Sequence, residues 1–225
     1  MPRFLRFLIL LVVITGKAAA DHPVVIGFER FYSEKPSADG GKLLYNELGC
    51  INCHGKRSNL PKRMGPELAN VAGRVHFDWL IDFLANPSKV KPGTTMPDML
   101  NRDEAEKVAH YLASLLPKKA KSTKPPRHVN AEAGSALYHG IGCVACHAPT
   151  PDFKPAGGTP APGAFTYPHS PFPDFREKYD LVSLTAFLAD PHKIRPHGRM
   201  PKFELSKERV PDIAGHLLDW QDSNG

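Results

Sequence analysis

The apolar positions of this chain fall in short groups at helical spacing, separated by stretches rich in proline, glycine and charge. Leu43, Leu44 and Leu48 share one face of an amphipathic helix, and Gly49 is placed to end it. Phe77 to Ala85 reads as a second helix, stopped at Asn86-Pro87 because the residue before a proline avoids helical backbone. Asn101-Arg102-Asp103-Glu104 resembles a capping box and opens a third, with Val108, Ala109 and Leu112 on its apolar side. The same three segments then return. Gly142 stands where Gly49 did, Leu181 to Ala189 is stopped at Asp190-Pro191, and a last helix capped by Ser206 carries Ile213, Ala214 and Leu217. Pro211 falls near the first turn of that last helix, which is expected to start late.

The return is a duplication. Gly41, Leu44, Tyr45, Gly49 and Cys50 match Gly134, Leu137, Tyr138, Gly142 and Cys143 at a constant offset of 93. Further on the offset is 104, and Leu80 to Pro97 aligns without a gap on Leu184 to Pro201, with 9 of 18 positions identical. Chance would give about one such identity, so the halves are internal repeats. Residues 21–117 and 130–225 are read as two domains, joined over 118–129 by a Lys-, Ser-, Thr- and Pro-rich linker with almost nothing apolar. Each half is small enough to bury only a limited core of its own.

Charge refines this division. The chain carries 29 basic and 23 acidic residues, a formal net charge of +6. Residues 21–117 hold 12 of each sign, and residues 130–225 hold nine basic and 11 acidic. The excess of the mature chain therefore sits in Lys118, Lys119, Lys121, Lys124 and Arg127. Neither folded half is basic, so nucleic acid is not an expected partner; the linker is a solvated spacer or a docking patch for an acidic redox partner. The halves also differ in length. His54 to Met96 spans 42 positions and His147 to Met200 spans 53, and the 11 extra fall in Ala148 to Phe175, with eight prolines and three glycines. An irregular, extended loop is expected there.

The candidate chemistry lies just after the first helix of each repeat. Cys50-Ile51-Asn52-Cys53-His54 and Cys143-Val144-Ala145-Cys146-His147 both follow the C-x-x-C-H pattern of c-type haem attachment. Two thiols three positions apart can each form a thioether to one vinyl group of a porphyrin, and the following histidine then offers a nitrogen to the iron. The chain has four cysteines, and the two motifs use all of them. A second axial ligand is sought among five methionines. Met200 is the only one in the second half, and its repeat partner is Met96. Both stand in the setting Pro-x-x-x-Met-Pro, Pro92 to Pro97 and Pro196 to Pro201. Met96 and Met200 are therefore assigned as the sixth ligands, with Met99 the runner-up in the first half. Met64, ten residues past His54, is not expected to reach the other face of the haem. Of the remaining histidines, His192 and His197 face Ser88 and Gly93 in the repeat alignment, and His22, His76, His110, His128, His139, His169 and His216 show no repeated placement. All are read as structural or solvated.

With these motifs the chain resembles the tandem two-haem class I cytochromes c of the bacterial periplasm, from about Gly40 to Leu217. The resemblance implies an all-α chain of two tandem class I cytochrome c domains, each a few helices around one covalently bound haem c. Gly65-Pro66-Glu67-Leu68 follows the first motif as in that family. There the proline carbonyl accepts the ring N–H of the proximal histidine, a role that falls to Pro66. Arg74 and Trp79 become candidates for the haem propionates. The second half departs from this pattern, since Ser170 falls opposite Pro66, with Pro171 next to it, and Lys178 falls opposite Arg74. The Gly-Pro-x-Leu and Pro-x-x-x-Met-Pro settings also resemble cytochrome c modules of planctomycetes.

The implied function is single-electron transfer between redox partner proteins, not catalysis. A two-haem peroxidase competes with it, but paired Met-Pro loops argue against a permanently open iron. A sulfur-compound oxidoreductase competes too, but such enzymes often use a cysteine ligand, and no fifth cysteine is present. A structural zinc protein would pair its C-x-x-C motifs about 15–20 residues apart, whereas 89 residues separate Cys53 from Cys143. A haem subunit of a larger respiratory complex shares the chemistry and differs in partners. Residues 1–20 read as a secretory signal: Arg3 and Arg6, an apolar run from Phe7 to Thr15, and Ala18-Ala19-Ala20 before Asp21. The run is shorter than the roughly 20 residues a bilayer span needs. Cleavage and a periplasmic location are expected, with an uncleaved anchor as the membrane-bound alternative.

Overall fold

A computed structural model describes residues 22–55, 65–117, 125–150, 153–154, 170, 172–195 and 198–222. The signal segment, residues 118–124 of the linker and most of the proline-rich insertion lie outside them, as do Met64, His169, Pro171 and His197. The described residues form helices and turns and no strand. The first repeat holds α1 (Ala38–Glu47), α2 (Ile51–His54), α3 (Phe77–Ala85), α4 (Pro87–Val90) and α5 (Arg102–Ser114). The second holds α6 (Ala131–Gly140), α7 (Phe175–Lys178), α8 (Leu181–Ala189), α9 (Pro191–Ile194) and α10 (Val210–Asp222).

Each repeat is closed by its first and last long helices crossing at a glycine. A Cβ on Gly41 would run into the backbone of Lys107 and Val108 in α5, and a Cβ on Gly134 into that of Asp212 and Ile213 in α10. Backbones approach this closely only where one of them lacks a side chain. Around the first crossing lie Leu44, Leu80, Ile81, Leu84, Val108, Ala109 and Leu112. Around the second lie Tyr138, Leu184, Ile213, Ala214 and Leu217. A short 3₁₀ turn, Phe28–Phe31, adds Phe28 to the first core at 1% exposure. Burial of that ring contributes roughly 1.5–3 kcal/mol. Beside it Lys107, also fully buried, directs its ammonium to both carboxylate oxygens of Asp103 at 2.8 Å.

Two expectations need correction. The segments after Asn86 and Asp190 are not loops from the start: each first makes one helical turn, α4 and α9, with the proline at its first position. Proline is well placed there because the N–H it lacks would be unpaired anyway. Ser206 does not cap α10. A turn over 207–209 intervenes, and the helix begins at Val210 so that Pro211 lies in its first turn. The Asn101 capping box does form, with Asn101 Oδ1 accepting from Glu104 N at 3.0 Å and Glu104 Oε2 from Asn101 N at 2.9 Å.

The repeats touch through the start of α3 and the end of α7. The backbone N–H of His76 donates to the Lys178 carbonyl at 2.9 Å, and its ring Nδ1 lies 3.0 Å from the Glu177 carbonyl. Val75 packs against both cores. None of the described helices is long and apolar enough to cross a membrane.

Candidate haem-binding sites

Gly49 and Gly142 both adopt left-handed backbone, φ 67° and 105°, and turn the chain out of α1 and α6 into the motifs. In the first motif α2 winds Ile51 to His54 into one helical turn. Positions three apart on such a turn share a face, which sets Cys50 beside Cys53. The second motif does the same with a 3₁₀ turn, Cys143–Ala145. The backbone N–H groups of His54 and His147 donate to the carbonyls of Cys50 and Cys143, each at 3.0 Å. All four thiols are free of disulfides. Burial pushes the Cys50 and Cys143 thiols up from the ordinary value, and the neighbouring Cys53 and Cys146 push the same way.

Each motif histidine is fixed by the loop that follows. His54 Nδ1 lies 2.8 Å from the Pro66 carbonyl oxygen. A carbonyl only accepts, so Nδ1 carries the proton and Nε2 keeps its lone pair for a metal. Gly65 N–H donates back to the Cys53 carbonyl at 2.8 Å, and Gly65 lies against the His54 ring where a Cβ would collide with it. In the second repeat Ser170 makes both bonds: its N–H donates to the Cys146 carbonyl at 2.8 Å, and its carbonyl accepts from His147 Nδ1 at 3.1 Å. Phe172 stacks on the His147 ring at 4.4 Å between centroids, 17° from parallel. The departure from proline in the second copy thus leaves the hydrogen bond in place, because the main chain makes it.

The other site residues lie as follows. Met96 is half-buried, packed against the first core, and its N–H donates to Thr94 Oγ1 at 3.3 Å. Met200 is half-buried in the equivalent loop, as is Met99 beside Met96. Arg74 directs its guanidinium back to the carbonyls of Glu67 and Asn70, bracing the loop that holds Pro66. Trp79, 7% exposed, stacks on Phe83 at 5.0 Å, and the ammonium of Lys178 lies 4.3 Å over its ring. His139 has more to do than its sequence suggested. Thr150 N–H donates to its Nε2 at 3.2 Å, so Nδ1 holds the proton and donates to the Ser135 carbonyl at 2.8 Å. It thereby ties the chain leaving the second motif back to α6.

The family model described as Cytochrome c matches residues 38–116 and again 131–220. The chain belongs to the cytochrome c family. It is a tandem of two such domains, all-α in both. Neither a characterised protein nor a solved structure matches the chain significantly. A cytochrome c domain implies a covalently bound haem c, and two domains imply two. The residues present fit that group: in each domain a pair of thiols on one turn, followed by a histidine whose ring presents Nε2. No three His, Cys, Asp or Glu side chains gather as a metal cluster among the described residues.

Proposed function

We propose that this cytochrome c is an exported two-haem electron carrier. Cys50 and Cys53 would hold one haem and Cys143 and Cys146 the other, and His54 and Met96 would ligate the first iron and His147 and Met200 the second. When bound, each haem supplies a ferric–ferrous couple, and thioether sulfur favours the ferrous side relative to a second imidazole. The chain's own part is to fix each imidazole with Nε2 free, to surround the group with apolar side chains, and to leave an edge for a partner. The observation that carries the reading is the repeated bond from a motif histidine Nδ1 to a main-chain carbonyl, Pro66 in one domain and Ser170 in the other. Residues 1–20, read as an export signal, agree with attachment outside the cytoplasm. The partners are redox proteins that donate and accept single electrons.

The visible spectrum of the purified haem-loaded protein tests this, oxidised and reduced, with and without carbon monoxide. Two low-spin haems with the ferric methionine charge-transfer band and no response to carbon monoxide are expected. A high-spin haem, or ready binding of carbon monoxide at either iron, would overturn the assignment of Met96 or Met200 and with it the role of a simple carrier.

A further inference from the structure

The chain that leaves the second motif is pinned to α6 at three points. The Tyr138 hydroxyl donates to the Ala148 carbonyl at 2.6 Å. The Thr150 N–H donates to His139 Nε2 at 3.2 Å. The Phe153 ring lies flat on the His139 ring, 3.9 Å between centroids and 11° from parallel. Behind them, on α10, the His216 ring stands 6.0 Å from His139 and 5.7 Å from Tyr138. Neither histidine has a histidine opposite it in the first repeat. Asn46 takes the place of His139, 93 positions earlier. The glycine crossings pair Lys107 with Asp212 and hence Tyr111 with His216, and Tyr111 lies against Tyr45 as His216 lies against Tyr138.

One of the three contacts depends on the charge of His139. Its Nδ1 proton is already spent on the Ser135 carbonyl at 2.8 Å, with the Ser135 hydroxyl 3.5 Å away. A further proton can go only to Nε2. There it points at the Thr150 N–H, and two donors cannot pair. The Thr150 hydroxyl, also 3.2 Å from Nε2, can turn and accept, but a backbone amide has no such choice. The surroundings do little for the new charge. His216 Nε2 is buried without a partner among the described residues, and burial followed by His139 lowers that ring. Asp219, the carboxylate that opposes this, is paired with Arg176 at 3.4 Å. Tyr138 stays neutral, because burial and then Cys143 push its hydroxyl up. Lys154, next after Phe153, is a further cation. Only the Phe153 face returns a part of the cost.

We propose that His139 is a proton-operated latch: neutral, it holds Thr150 against α6, and protonated, it lets the Thr150 amide go. Imidazole changes charge between about pH 5 and 8, so release belongs to the acid side. The latch acts three residues beyond His147, and an asparagine stands in its place in the first repeat. Through this residue a fall in pH loosens the stretch behind one motif and leaves the other as it was.

Amide hydrogen exchange of the full-length chain as purified, read at single residues, tests this at about pH 7.5 and about pH 5. Once the intrinsic effect of pH on exchange is removed, Thr150 should lose about tenfold of its protection at the lower pH, while the amides of α1 keep theirs. His139→Gln puts an acceptor that does not titrate beside Thr150, which should then stay protected at both pH values. His139→Phe removes the acceptor and should leave Thr150 unprotected at both. Should His139→Phe fail to fold, His139→Gln decides alone. Equal protection of Thr150 at the two pH values in the unaltered chain would overturn the latch. So would a step with pH that persists in either variant, since another group would then be the sensor.

Discussion

Gly65 presses against the imidazole of His54 so closely that a Cβ would overlap ring atoms Cε1 and Nδ1. Gly65→Ala must therefore tilt the ring or push the loop away, and the bond to the Pro66 carbonyl lengthens in either case. A loss of about 1–3 kcal/mol and altered visible bands from one of the two haems are expected, read by thermal unfolding and absorption spectroscopy. Ser170→Ala should change neither, since Ser170 contributes only its backbone N–H and carbonyl to the second site. His216 offers a pH test at the same scale. Burial first, then the neighbouring His139, lowers its ring, with Asp219 opposing, and its Nε2 is buried without a hydrogen-bond partner among the described residues. The folded chain then binds fewer protons at this ring than the unfolded one below the ordinary value of 6.5. Stability contributed here is complete above that pH and falls as pH drops through 6.5 toward the lower folded value. His216→Leu should flatten that part of a plot of melting temperature against pH; an unchanged slope would place the acid sensitivity elsewhere.

At the scale of elements, the glycine crossings decide whether each domain closes. Gly134→Ala would set a methyl into the carbonyl of Asp212, with no flexible side chain to yield. A loss of about 3 kcal/mol or more is expected in a thermal melt. Gly140→Ala, at the end of the same helix with open space around it, should be neutral or gain up to about 1 kcal/mol. The sequence announced these helices well, because capping groups, prolines and apolar spacing act over a few residues. Phe77–Ala85 and Leu181–Ala189 have the limits their patterns suggest. It misjudged what depends on competition between neighbours: that Ser206 caps α10, although the late start expected from Pro211 is found at Val210, and whether Pro87 and Pro191 end one helix or start another. Gly41 and Gly134 were visible as repeated positions, but their reason, a backbone on the far side of the domain, was not.

The whole molecule is two nearly neutral bodies that meet where Lys178 of the second lies over Trp79 of the first. The motifs were legible in sequence because thioether and iron geometry fix the spacing of Cys, Cys and His. That meeting was not. Arg74, Lys91, Lys178 and Arg195 are scattered along 122 positions from 74 to 195, yet the first, second and fourth all act on Lys178 in the fold. Net charge hid them as well, since acidic residues elsewhere cancel them in the count. Ser170 escaped for a different reason: a carbonyl belongs to every residue type, so no letter marks it.

That last property bears on how the two domains could diverge after duplication. A bond made by the main chain passes unchanged through any substitution that keeps the path of the backbone. One copy has glycine and proline at the turn and the other has neither at those two positions, and each histidine is held in both. The loop behind each motif histidine can therefore differ in composition and in length between the two copies, wherever a side chain does not press on the ring as one would at Gly65.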